Sequence, residues 1–385
     1  MSLQPGKLLL PIVVFSQFAG TSLWFAGNAI LDKIQSGSVD HHANITSVVQ
    51  AGFIAGTLLF ALFTIADRFN PSRVFFFSSL IASIANLLII PFGKDHLLLF
   101  FLRFITGFFL AGIYPVGMKI VADLFPKKAG KALGFLVGAL VLGTSLPHLI
   151  RSKFQLLNWE AVILVTSLLA LTGGILILAF IPSNKKKSLA SKPNLFAAVQ
   201  VFRSAPFRSA AFGYFGHMWE LYTFWALLPI LFEYYNNLHG FQMNIYFWSF
   251  IIIGIGAVGC AFGGLISQRT GSKKVAFYSL LISCLCSLIS GLSFQLPGFI
   301  FITFMMLWGF TVTADSPQFS ALVAKNAEQR NKGTALTIVT SIGFAITIIS
   351  IQIIKALLDV YKEWALWILA IGPIIGLLSF RKLKD

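Results

Sequence analysis

The stretch LRFITGFFLAGIYPVGMKIVADLF, Leu102 to Phe125, is long enough to cross a bilayer as a helix and almost wholly apolar, yet it carries Arg103 and Lys119. A charge at mid-membrane costs roughly 2.5–3.5 kcal/mol on insertion scales, so a guanidinium there needs a wet cavity or a partner. The whole chain repeats the pattern. Of 385 residues 57% are hydrophobic and 11% charged, and the mean hydropathy is +0.84, which excludes a soluble globular surface. Twelve apolar blocks reach the length of about 20 residues that a spanning helix needs: 8–30, 43–65, 72–92, 96–122, 131–152, 159–182, 208–236, 242–267, 273–293, 298–324, 332–356 and 363–381. The expected fold class is an all-α membrane protein with twelve transmembrane helices.

A net charge of +16 would ordinarily point to nucleic acid, so its placement matters. Lys7, Arg68, Arg73, Lys127, Lys128, Lys131, Lys185 to Lys187, Lys192, Arg203, Arg208, Arg269, Lys273, Lys274, Lys325, Arg330, Lys332, Arg381, Lys382 and Lys384 all fall on one side of the alternating loops, and Lys33, Lys94, Arg151, Lys153, Lys355 and Lys362 on the other. This is the positive-inside bias of a protein with both termini in the cytoplasm. The basic charge therefore encodes orientation, and nucleic acid is excluded as a partner. Cys260, Cys284 and Cys286 lie within apolar blocks and suggest neither a disulfide framework nor a metal site. No nucleophile, base and orienting group fall together, so no enzyme is expected, and no cofactor. Gly254, Gly256 and Gly259 fit a dinucleotide fingerprint, but no strand precedes them, and small residues in a span favour close helix packing.

The longest polar connection, Pro182 to Phe207, divides the spans six and six. The expected domains are an N-terminal bundle over 1–182, a basic cytoplasmic linker over 183–207 and a C-terminal bundle over 208–385. The halves echo each other: ADRFNPSRV (66–74) aligns with SQRTGSKKV (267–275), and GFFLAGIYP (107–115) with GFTVTADSP (309–317), at nearly one offset. With the turn holding Asp67, Arg68 and Arg73, its degenerate copy, the Arg103-x-x-x-Gly107 pattern and the six-plus-six layout, the sequence resembles the major facilitator superfamily over essentially its whole length. Gln268 stands where that turn usually has an acid. TSLWFAGNAI, HMWELY and ADSPQFSALVA are loosely similar to a bacterial branch grouped with nitrate, nitrite and cyanate permeases, although span 2 lacks the arginine of nitrate porters. The resemblance implies two pseudo-symmetric six-helix bundles around a cavity lined by spans 1, 4, 7 and 10, with access alternating between the two sides. It also implies a gating turn at Asp67, Arg68 and Arg73, with Asp67 meeting a helix N-terminus.

The ionisable residues clearly within spans are Arg103 and Lys119 in span 4, Glu220 in span 7 and Asp315 in span 10, with His217 and His148 beside them. In span 1, Gln17, Thr21, Trp24 and Asn28 fall on one face of a continuous helix. Arg103 and Tyr114 share a face, whereas Lys119 snorkels near the cytoplasmic end. Trp308, Thr311, Asp315 and Gln318 form the corresponding face of span 10. At 1.5 Å per residue Arg103 lies about 10 Å below the outer edge and the two acids about 25 Å, so Arg103 is not their partner in every state. Arg103 either locks helix packing through carbonyls and a neighbouring polar residue or attracts an anion. His217 and Glu220 are either a static pair or a titrating site. Asp315 either satisfies backbone freed by Pro317 or takes part in proton coupling.

The expected function is a secondary active transporter of a small anionic solute in the bacterial cytoplasmic membrane, working as a monomer with protons as the coupling ion. Gln17, Thr21, Trp24, Asn28, Arg103, Tyr114, Trp308, Thr311 and Gln318 are the expected solute cavity, and His217, Glu220 and Asp315 the proton-coupling groups. Two alternatives are kept: a proton-driven exporter of amphipathic or cationic compounds, for which the acids would attract the cation, and a non-transporting sensor or assembly subunit.

Overall fold

The structure, a computed structural model, describes residues 8–34, 39–125, 129–153, 158–182, 202–327, 332–380 and 383. These residues are helical, joined by short turns, and contain no strand. In hydrocarbon no water is available to the backbone, so a helix that satisfies its own amides and carbonyls is the expected solution. The fold is the all-helical, two-bundle arrangement expected from the sequence. The principal helices are α1 (Leu9–Thr21), α2 (Val39–Leu62), α3 (Pro71–Leu87), α4 (His96–Leu110), α5 (Tyr114–Leu124), α6 (Ala129–Lys153) and α7 (Glu160–Phe180) in the first half. The second half has α8 (Ala205–His239), α9 (Ile245–Thr270), α10 (Ser272–Ser293), α11 (Gly298–Ala314), α12 (Ser316–Asn326), α13 (Lys332–Tyr361) and α14 (Ile371–Ser379). Contacts divide the chain into one unit of Met1–Ser36 with Val48–Pro193 and another of Gly37–Ser47 with Asn194–Asp385. Residues 183–201 of the expected linker lie outside the described residues, and α8 begins earlier than expected, capped by Ser204.

Spans 1, 4 and 10 are interrupted where continuous helices were expected, and span 12 opens as the 3-10 segment Lys362–Ala370. Span 1 stops at Thr21, runs irregularly through Ser22–Gly27, and resumes as a 3-10 turn at Asn28–Ile30. The even spacing from Gln17 to Asn28 therefore does not describe a single helix face. Span 4 breaks between Leu110 and Tyr114, and span 10 at Asp315. Each restarts with a proline in its first turn, Pro115 and Pro317. Proline lacks an N–H and is tolerated there, where that donor would be orphaned anyway. The two breaks fall at aligned positions of the repeat.

The same repeat sets helix approach. In the first unit Gly107 of α4 presses on the carbonyl oxygen of Val49, while Gly52 and Gly56 of α2 meet the carbonyls of Phe104 and Phe108. In the second, Gly309 of α11 presses on the carbonyl of Ile252, and Gly256 and Gly259 of α9 meet Thr313 and the Phe310 carbonyl. A Cβ at Gly107 would collide with backbone, which cannot rotate aside. Gly107→Ala should thus cost about 1–3 kcal/mol, read as a lower Tm in detergent. Gly333→Ala, whose Cβ would meet nothing within 4 Å, should hold or raise it. Equal Tm values for the two variants would sink this packing account.

Candidate functional site

In the first unit Arg103 is fully buried, and its guanidinium donates to the carbonyls of Leu23 at 3.0 Å and Trp24 at 2.5 Å and to Asn86 Oδ1 at 3.2 Å. Leu23 and Trp24 sit in the irregular stretch of span 1, where helix carbonyls have lost their usual donors. An arginine carries five N–H groups in a rigid fork and can serve several carbonyls at once. Asn86 in turn reaches Ile163 O, Thr166 Oγ1 and Ser167 Oγ of α7 at 2.9–3.3 Å. Gly27 leaves room for the arrangement, since a Cβ there would stand 2.9 Å from Arg103 Nε. Spans 1, 3, 4 and 6 are thereby tied at one level. Among the described residues no carboxylate pairs with Arg103.

The other expected cavity residues of this unit have diverse surroundings. Gln17 is buried against Gly117 of α5, and neither of its amide atoms has a hydrogen-bond partner among the described residues. Thr21 donates to its own helix at Gln17 O, 2.8 Å away. Trp24 is buried with its ring 5.0 Å from that of Phe53, Asn28 is buried in the 3-10 turn, and Tyr114 is half-buried at the start of α5. Lys119 pairs with Asp123 at 3.6 Å, one turn on. In the turn after span 2, Arg68 and Arg73 are exposed and Asn70 caps α3 by accepting from Ser72 N; the side chain of Asp67 lies outside the described residues.

In the second unit, His217 Nδ1 of α8 stands 2.8 Å from Asp315 Oδ1 at the break of span 10, both side chains fully buried. The imidazole lies between the rings of Tyr214 and Phe319, at 6.1 and 6.0 Å, and its Nε2 has no hydrogen-bond partner among the described residues. One turn along α8, Glu220 accepts at Oε1 from Ser287 Oγ at 2.5 Å and Trp308 Nε1 at 2.7 Å, and at Oε2 from Ser283 Oγ at 2.6 Å. His217 and Glu220, neighbours in sequence, thus have different partners. Trp308 is oriented further by Phe224, whose ring lies 4.5 Å away. Thr311 donates to its own helix at Leu307 O, and Gln318 is buried in the first turn of α12.

Asn86, Ser283 and Ser287 escaped the sequence reading. The serines stand four apart in an apolar span, so a shared polar face was there to be found; Asn86 is a single amide with no local signal. Truncating it leaves a buried charge short of an acceptor, so Asn86→Ala is expected to lower stability by about 1–3 kcal/mol. A purified Asn86→Ala protein with unchanged Tm would count against the clamp on span 1.

The Major Facilitator Superfamily model matches residues 9–351. The crystal structure of the human organic anion transporter MFSD10 (TETRAN) superposes with a TM-score of 0.78 at 15% identity, covering 99% of this chain and 100% of that one, a likeness of fold. The candidate niacin/nicotinamide transporter NiaP of Bacillus subtilis (strain 168) is 31% identical over 158 residues, 38% of this chain and 37% of that protein. The chain therefore spans little more than a third of that relative's length in the match. With apolar helices of membrane-crossing length in both halves and the family's pattern running through nearly all of the sequence, this chain belongs to the Major Facilitator Superfamily, a family of transporters, and is a multi-pass membrane protein.

Proposed function

We propose that this transporter carries a small organic acid, as its anion, across the bacterial cytoplasmic membrane together with a proton, by alternating access and as a monomer. The observation that carries this reading is the buried pair of His217 and Asp315 at the break of span 10. An uncompensated charge in such a site costs several kcal/mol. Gaining or losing one proton therefore changes which arrangement of the surrounding helices is stable, which is what coupling requires. Glu220, held by three donors one turn away, is assigned as a second proton-responsive group. The solute class is supported by the partial match to a relative named for niacin, a pyridine carboxylic acid, and for its neutral amide nicotinamide. Gln17 offers that solute an unpartnered donor and acceptor, whereas Arg103 orders span 1 with its own bonds to carbonyls.

A second reading, export of cationic compounds, is favoured by one feature. Near one another in the second unit lie two carboxyls, Glu220 and Asp315, and one imidazole, His217, all at 0% exposure, an excess of acceptors that suits a cation.

The decisive assay uses proteoliposomes with an imposed pH gradient and labelled nicotinate, nicotinamide and a lipophilic cation. For one proton per solute, each pH unit is worth about 1.4 kcal/mol, so nicotinate accumulation should rise up to about tenfold per unit of outside acidity. Asp315→Asn should abolish that gradient-driven accumulation yet retain solute exchange. Gradient-driven nicotinate uptake that survives Asp315→Asn overturns the coupling assignment, and movement of the cation alone favours export. Gln17→Leu should raise the KM for nicotinate about tenfold, the loss of one hydrogen bond to a charged group; an unchanged KM removes Gln17 from the solute site.

A further inference from the structure

A cavity lies in the C-terminal unit, where α8 nears its end and α13 gives way to the 3-10 segment Lys362–Ala370. Its volume is about 250 Å³, below the roughly 300–1,000 Å³ of pockets that enclose drug-sized molecules. An occupant is therefore the size of a head group. One wall is apolar, made by Ile230, Leu231 and Leu358. The lining also holds the exposed Asp359 and Lys362, the buried Glu363, and Tyr234.

The lining charges are arranged for a zwitterion. Asp359 and Lys362 are exposed, and among the described residues neither is in an ion pair. Lys362 has φ +51°, in the left-handed region that an ordinary side chain seldom adopts, and at this turn it lines the cavity together with Asp359 and Glu363. Glu363 is buried and oriented, accepting from Tyr234 Oη at 2.6 Å and Gln295 Nε2 at 3.4 Å. A carboxylate offers about four lone-pair positions, so two remain for a further donor. Tyr361, Trp364 and Trp367, beside Lys362 and Glu363 in the chain, are exposed, with Trp364 packed on Gly291 of α10 and edge-on to Trp367. Exposed indoles and phenols of this kind concentrate at the level of lipid head groups.

We propose that this cavity binds a zwitterionic phospholipid whose head group ends in a primary ammonium. The ammonium donates to Asp359 and Glu363, the phosphate meets Lys362, and the start of an acyl chain lies along Ile230, Leu231 and Leu358. A trimethylated head group has no N–H to donate and fits only through charge. The site is distinct from the buried His217, Asp315 and Glu220 groups and does not depend on the solute assigned above.

The test uses the full-length protein, delipidated in detergent, with dioleoyl phosphatidylethanolamine and dioleoyl phosphatidylcholine compared by native mass spectrometry and by Tm. The ethanolamine lipid is expected to be retained about tenfold more strongly, the scale of a lost hydrogen bond to a charged group. It should also raise Tm further. Asp359→Asn, at an exposed position, should reduce the ethanolamine lipid toward the choline level, and Lys362→Gln, which faces the phosphate common to both, should weaken both lipids. Equal retention of the two lipids, or a preference that survives Asp359→Asn, overturns the proposal. So does an equal effect of free phosphoethanolamine, which would make the cavity a site for a soluble solute.

Discussion

A helix inside hydrocarbon can be interrupted only where another group takes over the backbone's hydrogen bonds, and much of this structure follows from how that demand is met. Span 1 loses its helix from Ser22 to Gly27, and the carbonyls so released are taken by Arg103. The guanidinium is in turn held by Asn86, which is fixed by three groups of α7. The charge that made span 4 look anomalous in sequence is thus the donor that span 1 lacks. The arrangement also explains the small residue at Gly27, since any side chain there would meet the arginine.

The breaks in spans 4 and 10 have a different origin and a shared geometry. Each lies just before a proline, and each follows a glycine at which the preceding helix presses on a carbonyl of its neighbour, Gly107 on Val49 and Gly309 on Ile252. Close approach above the break and a restart below it recur in both halves. The break in the second half carries an acid, Asp315, beside an imidazole from α8; the corresponding break in the first half has Ala111, Gly112 and Ile113 instead. The halves share a backbone plan and differ in the chemistry placed on it.

That difference separates two kinds of buried polar group. Arg103 and Glu220 are each surrounded by several partners of opposite hydrogen-bonding character, so they order the helices that supply those partners. His217 and Asp315 face each other with capacity to spare, the imidazole Nε2 being without a partner among the described residues. A proton exchanged at Glu220, as proposed, would have to rearrange its bonds from α10 and α11, whereas His217 and Asp315 can exchange one without dismantling a network. Gln17, buried with both amide atoms unpartnered, belongs to the second kind.

The sequence by itself determined the membrane class, the all-helical two-bundle fold, the repeat and the place of Arg103, His148, His217, Glu220 and Asp315 within apolar spans. These are readable because apolar length and the cost of an intramembrane charge are properties of a single segment. It also placed Gly256 and Gly259 correctly as packing residues, since no strand precedes them. Only the tertiary structure decided what each charge meets. Arg103 finds its carbonyls 79 and 80 residues away, His217 pairs with Asp315 and not with its neighbour Glu220, and Glu220 draws on serines from α10. It likewise decided that span 1 is broken between Thr21 and Asn28, where the even spacing of polar residues promised one helix. The stability of that break rests on a donor supplied by another span, and no local pattern of residues records a partner that distant.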